Sequence, residues 1–289
     1  MQSTPATPLV SADELAARLG DPSLAIVDAS WHLPSAGRDA EAEYRTAHIP
    51  GAVRLDLDQV ADLTSDLPHM LPTPERFARA MEQLGIGRDH EVVVYDTSGV
   101  NLSAPRAWWM FRCFGHDRVR VLDGGFRAWA AKTRPIQTGT TRRSPTGYRV
   151  PPRDASLVVD RAGIEAILAG TRDAQLADCR AADRFEGRVD EPRPGLARGH
   201  IAGAKNLPFA TLTDPETGAM HPPPVLRALL AERGLDPARP IVAYCGSGTS
   251  ACALALAIEV LRAADPAHVG PPVAIYDGSW AEYGRRSAI

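Results

Sequence analysis

The 289-residue chain predicts an α/β protein made of two similar domains, each a mainly parallel sheet flanked by helices on both faces. Three observations lead there. Short segments recur in one order at a nearly constant offset: Ile26-Val27-Asp28 with Leu176-Ala177-Asp178, His48-Ile49-Pro50-Gly51-Ala52 with His200-Ile201-Ala202-Gly203-Ala204, Val93-Val94-Tyr95-Asp96 with Val242-Ala243-Tyr244-Cys245, and Leu122-Asp123-Gly124 with Tyr276-Asp277-Gly278. Each copy alternates short apolar runs with helical periods, the mark of strands joined by crossover helices. A stretch rich in Pro, Thr, Gly and Arg, without a helical period, separates the copies. These features predict an N-terminal domain over 1–136, a linker over 137–156 and a C-terminal domain over 157–289.

The elements follow in order. Ser11-Ala12-Asp13-Glu14 is a capping box ahead of Leu15 and Leu19, so a helix starts there. The first copy then predicts strands at Leu24–Asp28, Glu91–Asp96 and Val119–Leu122, with helices at Ser103–Phe114 and Gly125–Ala131. The second predicts strands at Gln175–Asp178, Pro240–Tyr244 and Val273–Tyr276. Its helices are expected at Asp160–Leu168, Pro223–Arg233, Thr249–Arg262 and Ser279–Arg285.

Composition excludes several classes of function. With 44% hydrophobic and 23% charged residues and a net charge of −3, nothing suggests a nucleic-acid footprint. The apolar run Ala251–Leu261 is too short to span a bilayer, so no membrane partner is expected. The polar segment Met1–Pro8 carries no signal-peptide core. Cys113, Cys179, Cys245 and Cys252 have no CxxC spacing, and a reduced, cytoplasmic setting fits them best. No two of the eight histidines have metal-ligand spacing, so neither a metal nor another cofactor is expected.

The chemistry concentrates at Cys245. An apolar run ends in this cysteine, Gly246-Ser247-Gly248-Thr249-Ser250 follows, and an Ala/Leu-rich helix begins after it. Loop N–H groups and a positive helix end favour an anion at the sulfur, so the thiol is expected to ionise readily and act as a nucleophile. A free cysteine at a strand end more often only fills space. Gly246 and Gly248 shift the balance, because they let the backbone take positive φ and approach a ligand closely. The first copy has Asp96 at this position and cannot do thiol chemistry, so the second copy is expected to be the catalytic one. The loop lies at the usual crevice position of such sheets, with the interface between copies as a natural wall.

Several stretches together resemble the tandem-domain rhodanese-like sulfurtransferases, and among them the 3-mercaptopyruvate type. They are His48-Ile49-Pro50-Gly51-Ala52, His69-Met70-Leu71-Pro72-Thr73-Pro74-Glu75, Ala104-Pro105-Arg106-Ala107-Trp108-Trp109-Met110-Phe111, Leu122-Asp123-Gly124-Gly125-Phe126, Gly199-His200-Ile201-Ala202-Gly203-Ala204 and the Cys245 loop. The resemblance implies an inactive N-terminal domain and a persulfide-forming cysteine in the C-terminal one. It also implies that thiosulfate-using relatives carry basic residues at the two positions after the cysteine, where this chain has Gly246 and Ser247. Arg184 and Arg193 match the arginines that hold the substrate carboxylate and carbonyl; a planar guanidinium suits a carboxylate bidentately. A proton-handling group of Ser247, His48 and Asp39 is implied as well, meeting across the interface. As bare sequence, His48 instead braces its loop, as His200 does in the repeat. Gly246, Gly248, Thr249 and Ser250 complete the expected substrate cradle. Thr249-Ser250 departs from the family pattern of an apolar β-branched residue followed by threonine.

The reaction so implied is ping-pong transfer of sulfur from 3-mercaptopyruvate, with release of pyruvate, to a thiol such as thioredoxin or to cyanide. Three rivals stand beside it. A thiosulfate:cyanide sulfurtransferase is disfavoured by Gly246 and Ser247. A cysteine phosphatase needs an arginine where this chain has Ala251. A non-enzymatic binding module would have no need of an intact Cys245 loop.

Overall fold

The computed structural model describes residues 7–285, so the first six residues of the polar Met1–Pro8 segment lie outside the described residues. In the first half, β1 (Leu9–Val10), α1 (Ala12–Ala16), β2 (Leu24–Asp28), α2 (Ala40–Thr46), β3 (Val53–Arg54), α3 (Leu57–Val60), α4 (Pro74–Gln83), β4 (Glu91–Tyr95), α5 (Ala104–Cys113), β5 (Val119–Leu122) and α6 (Gly125–Ala130) follow one another. The second half has β6 (Val158–Val159), α7 (Arg161–Leu168), β7 (Gln175–Asp178), α8 (Ala182–Phe185), β8 (Lys205–Asn206), α9 (Pro223–Glu232), β9 (Ile241–Tyr244), α10 (Cys252–Ala264), β10 (Ala274–Tyr276) and α11 (Ser279–Tyr283). The strand orders are β1-β5-β4-β2-β3 and β6-β10-β9-β7-β8, the same order twice. Every strand pair in both sheets is parallel.

The central strands and the helices α5, α7, α9 and α10 coincide with segments expected from the sequence, whereas the ten-residue α4 and the shorter α2 were not expected. The two-residue edge strands escaped it because they are too short to show a period. α4 did carry a signal: the Thr73 side chain caps Arg76 N–H at 3.3 Å, with Pro74 at the first helical position. α10 begins at Cys252 rather than Thr249. Gly248 at φ +74° breaks the entry, and Cys252, Ala253 and Leu254 donate to the carbonyls three residues back, the tighter 3₁₀ pattern.

The recurring Ile-x-Gly-Ala segments have a common physical cause. Ile49 N–H donates to the Tyr95 hydroxyl (3.3 Å), as Ile201 N–H does to that of Tyr244 (3.0 Å). Gly51 (φ +78°) and Gly203 (φ +74°) then close turns in which Ala52 and Ala204 donate back to Ile49 and Ile201. Each turn thus hangs on the tyrosine that ends a central strand.

The largest apolar cluster lies between the two sheets and draws on both halves, including Trp108, Trp109, Phe111, Leu254 and Ile258. α5 and α10 pack against each other there, which buries Trp109 and Phe111 completely enough to make the interface a core. Smaller clusters around Leu15, Tyr95 and Trp129 and around Ile164, Tyr244 and Trp280 cover the outer faces.

The segment expected as a linker is tied to the first half. Tyr148 donates its hydroxyl to Nδ1 of buried His116 at 2.8 Å, while Nε2–H of that ring donates to the His90 carbonyl at 2.9 Å. Burial pushes His116 down to about 4, helped by Arg88 and Arg118 and opposed by the bond to the carbonyl. The folded value lies below the ordinary 6.5, so the neutral ring's contribution is complete above 6.5 and is lost as pH falls toward 4. We expect about 3 kcal/mol of stability to disappear over that window. Urea midpoints measured between pH 7 and pH 4 should show this slope in the wild type and a flatter one in His116→Gln.

Candidate active site

Cys245 follows β9 directly and is 2% exposed. Its amide donates to the Ser279 hydroxyl (3.3 Å), and Trp280 and Ala281 at the start of α11 donate to the carbonyls of Cys245 and Gly246 (3.0 and 2.9 Å). The carbonyls of Cys245 and Gly246 are thereby consumed. Among the described residues none accepts from the backbone N–H groups of Gly246, Ser247, Gly248, Thr249 or Ser250. Such a run of free N–H groups has the donors that an anion requires. The other three cysteines are buried thiols that burial pushes upward: Cys113 and Cys179 far above the usual range, Cys252 to about 12. They are inert by the same physics.

The twin loop shows what this arrangement accepts. Asp96 turns its carboxylate into its own loop, taking hydrogen bonds from Ser98 N–H (2.9 Å), Ser103 N–H (2.9 Å) and Ala104 N–H (2.8 Å). An anion fixed to the chain fills the first loop.

Of the two glycines, Gly248 takes the expected positive φ and Gly246 does not. Gly248 has φ +74°, and a Cβ there would meet Arg106 Nη1 and the Asp277 carbonyl at 3.1 Å. Gly246 needs no positive φ; its role is room. A Cβ on it would lie 3.0 Å from Arg184 Nη2 and 3.8 Å from Arg193 Nη1, so both guanidiniums converge beside Cys245. Glu191, which sequence reasoning missed, holds Arg184 through both carboxylate oxygens, with Nε at 3.2 Å, and pairs with buried Arg180 at 2.7 Å. Arg180 in turn locks onto Asp178. Arg193 has no hydrogen-bonded carboxylate among the described residues. Burial lowers its guanidinium from the ordinary value, with Cys245, Asp58 and Glu191 pulling the other way. It is a half-buried cation poised for an anion.

The expected histidine and aspartate are corrected here. His48 is fully buried, with Nδ1 on the Tyr44 carbonyl (2.8 Å) and Nε2 on the Thr141 hydroxyl (3.1 Å), and its ring stacks on Tyr44. Both nitrogens are spent on bracing, as His200 braces the Phe185 carbonyl in the repeat (2.8 Å). Asp39 is the N-cap of α2, accepting from Glu41 and Ala42 N–H (3.0 and 3.1 Å). Neither meets Ser247.

His69 does. Its Nδ1 lies 2.8 Å from Ser247 Oγ and 3.1 Å from Thr249 Oγ1; its Nε2 lies 2.9 Å from Asp58 Oδ1. Asp58 on α3 is a carboxylate acceptor, which assigns the ring proton to Nε2 and leaves the Nδ1 lone pair for a hydroxyl. The hydrogen bond from His69 lowers Asp58 below its ordinary value against partial burial, and Trp31 Nε1 holds the other oxygen at 3.0 Å. The Ser250 side chain has no partner in this cluster; its carbonyl accepts from Ala253.

Reciprocal contacts bring the two loops together. Asp277 accepts from Leu71 N–H and Asp123 from Met220 N–H, both at 2.7 Å, so each domain's Asp-Gly turn clasps the other's loop. Buried Arg106 pairs with Asp277 (2.8 Å) and donates to the His69 carbonyl. Two residues before Met220 stands Gly218 at φ +73°; two before Leu71 stands His69 at φ +61°. A histidine thus occupies backbone that suits glycine, at a cost of about 1–2 kcal/mol. That strain shows only in the coordinates.

Fold and site define a duplicated α/β protein whose second copy carries a cysteine in a glycine loop at the end of a central strand. Residues 11–132 and 164–286 match the rhodanese-like domain, and the chain belongs to the rhodanese-like family. It is 42% identical to the human 3-mercaptopyruvate sulfurtransferase over 94% of its length and 88% of that protein's. It is 38% identical to rat thiosulfate sulfurtransferase, covering 92% and 86%. Among solved structures it is similar to SseA from Escherichia coli, described as a 3-mercaptopyruvate sulfotransferase of rhodanese fold, with TM-score 0.82, 38% identity and coverage of 95% and 99%.

Proposed function

We propose that the chain is a sulfurtransferase taking sulfur from 3-mercaptopyruvate through a persulfide on Cys245 and passing it to a thiol. Relatives of both donor types are similar in sequence, so the donor is argued from the site. The observation that carries the reading is the convergence of Arg184 and Arg193 on Gly246, with no basic side chain directly after Cys245. A forked pair of guanidiniums suits the adjacent carboxylate and carbonyl of a 2-oxo acid.

The steps balance as follows. The Cys245 proton moves through the Ser247 hydroxyl to His69, whose charge Asp58 supports. The thiolate attacks the donor sulfur, the carbon–sulfur bond breaks, and its electron pair stays on carbon as an enolate that the arginines stabilise. The proton returns from His69 through a hydroxyl to that carbon, giving pyruvate and a Cys245 persulfide. A thiolate acceptor, such as that of reduced thioredoxin, then takes the outer sulfur and restores Cys245. The first domain, with Asp96 plugging its loop, is the inactive partner that supplies His69 and Asp58; the division at 1–136, 137–156 and 157–289 belongs to this reading. Among the described residues no helix is long and apolar enough to cross a membrane, and no cluster of His, Cys, Asp and Glu could hold a metal. A reducing, cytoplasmic setting is part of the proposal, supported by four unpaired cysteines.

The test compares pyruvate release from 3-mercaptopyruvate with sulfite release from thiosulfate, using one thiol acceptor. We expect kcat/KM to favour mercaptopyruvate by about two orders of magnitude. Arg193→Ala should cost about 10- to 100-fold in kcat/KM for mercaptopyruvate, chiefly through KM, and affect thiosulfate less. Thiosulfate turnover equal to or above that of mercaptopyruvate overturns the donor assignment.

A further inference from the structure

Two hydroxyls compete for one ring nitrogen. Ser247 Oγ at 2.8 Å and Thr249 Oγ1 at 3.1 Å both address His69 Nδ1. With Asp58 engaged at Nε2, that atom offers a single lone pair, or a single proton once the ring is charged. Neither hydroxyl has another hydrogen-bond partner among the described residues, and both side chains are buried (5% and 2% exposed). A buried hydroxyl without its own acceptor is costly, so Thr249 is held in this position by His69 and by nothing else polar. Gly248, at φ +74° between them, turns the loop so that residues 247 and 249 face the same ring.

We infer that Thr249 is a second proton-relay hydroxyl, interchangeable with Ser247, so that either one completes the path between His69 and the reacting atoms. This rests on the reading of His69 as the proton-handling base. The step itself is unchanged: the hydroxyl gives its proton to the enolate carbon and regains one from the charged His69 ring. What the second hydroxyl adds is tolerance. When Ser247 is absent, the His69 bond passes to Thr249.

The test is a set of near-isosteric variants assayed for pyruvate release from 3-mercaptopyruvate: Ser247→Ala, Thr249→Val, their double variant, Ser247→Ala/Thr249→Ser and His69→Ala. Circular dichroism establishes that each is folded. Each single loop variant should lose only about 2- to 4-fold in kcat, whereas the double variant should fall about 10²-fold, to the level of His69→Ala and well beyond the product of the single losses. Ser247→Ala/Thr249→Ser, which keeps the second hydroxyl, should match Ser247→Ala and be far faster than Ser247→Ala/Thr249→Val. A packing role for Thr249 predicts instead that the double loss equals the product of the single losses, and that result overturns the inference. So does a Ser247→Ala variant already as slow as His69→Ala. If His69→Ala is silent while Cys245→Ser is inactive, the proton-handling reading falls first and takes this inference with it.

Discussion

Cys245→Ser should abolish pyruvate release from 3-mercaptopyruvate, by roughly four orders of magnitude or more. Serine fits the same buried space and leaves the amide bond to Ser279 and the α11 contacts intact, so the fold should be unaltered. The loss is chemical. An alkoxide is not formed at neutral pH in the way a thiolate is, and oxygen cannot carry the sulfane sulfur between the two half-reactions. Mass spectrometry of the wild type after donor and without acceptor should show the sulfur adduct on the peptide containing Cys245. Cys113, Cys179 and Cys252 should stay unmodified, because burial holds their thiols protonated. Turnover retained by the serine variant would remove the covalent mechanism altogether.

His69→Ala should lower kcat about 10²-fold, and Asp58→Asn about tenfold, with KM nearly unchanged in both. The ring lies 2.8 Å from Ser247 and hydrogen-bonds to neither arginine, so its proposed role is proton movement rather than binding. Asp58→Asn weakens support for the charged ring without emptying the space. The contrast is His48→Ala. That variant should keep kcat within about twofold while losing about 1–3 kcal/mol of stability, because it strips partners from the Tyr44 carbonyl and the Thr141 hydroxyl. Steady-state kinetics alongside thermal melts separate the two outcomes. A large kinetic loss in His48→Ala with none in His69→Ala would reverse the assignment.

His48 and His69 differ in how the duplication treats them. His48 sits in a segment that recurs around His200, and a residue repeated in the copy without a nucleophile-bearing partner is explained by the fold. Both histidines do hold their turns. His69 stands in a segment whose counterpart, around Gly218 and Met220, has no histidine. The asymmetry between copies that singled out Cys245 against Asp96 would have singled out His69 against Gly218. It was harder to find because the two loops share little more than the clasp that Asp277 and Asp123 provide. Asp58 left no such trace: it sits on a four-residue helix too short to show a period. Glu191 likewise looked like one loop carboxylate among many until Arg180 and Arg184 closed on it.

The sequence by itself determined the duplicated α/β architecture, the central strands and the cysteine loop, whereas the two arginines were implied only by the family resemblance. Those features are local: strand runs, glycine spacing and caps are settled by neighbours along the chain. Only the tertiary structure decided that His69, with Asp58 on its other nitrogen, meets Ser247, since the histidine comes from the other half of the chain and reaches it across a packed interface. A hydrogen bond between residues so far apart depends on how α5 packs on α10 and how Arg106 and Asp277 lock the loops. No local pattern encodes that meeting, because the geometry arises from the sum of contacts between two sheets and not from any one segment.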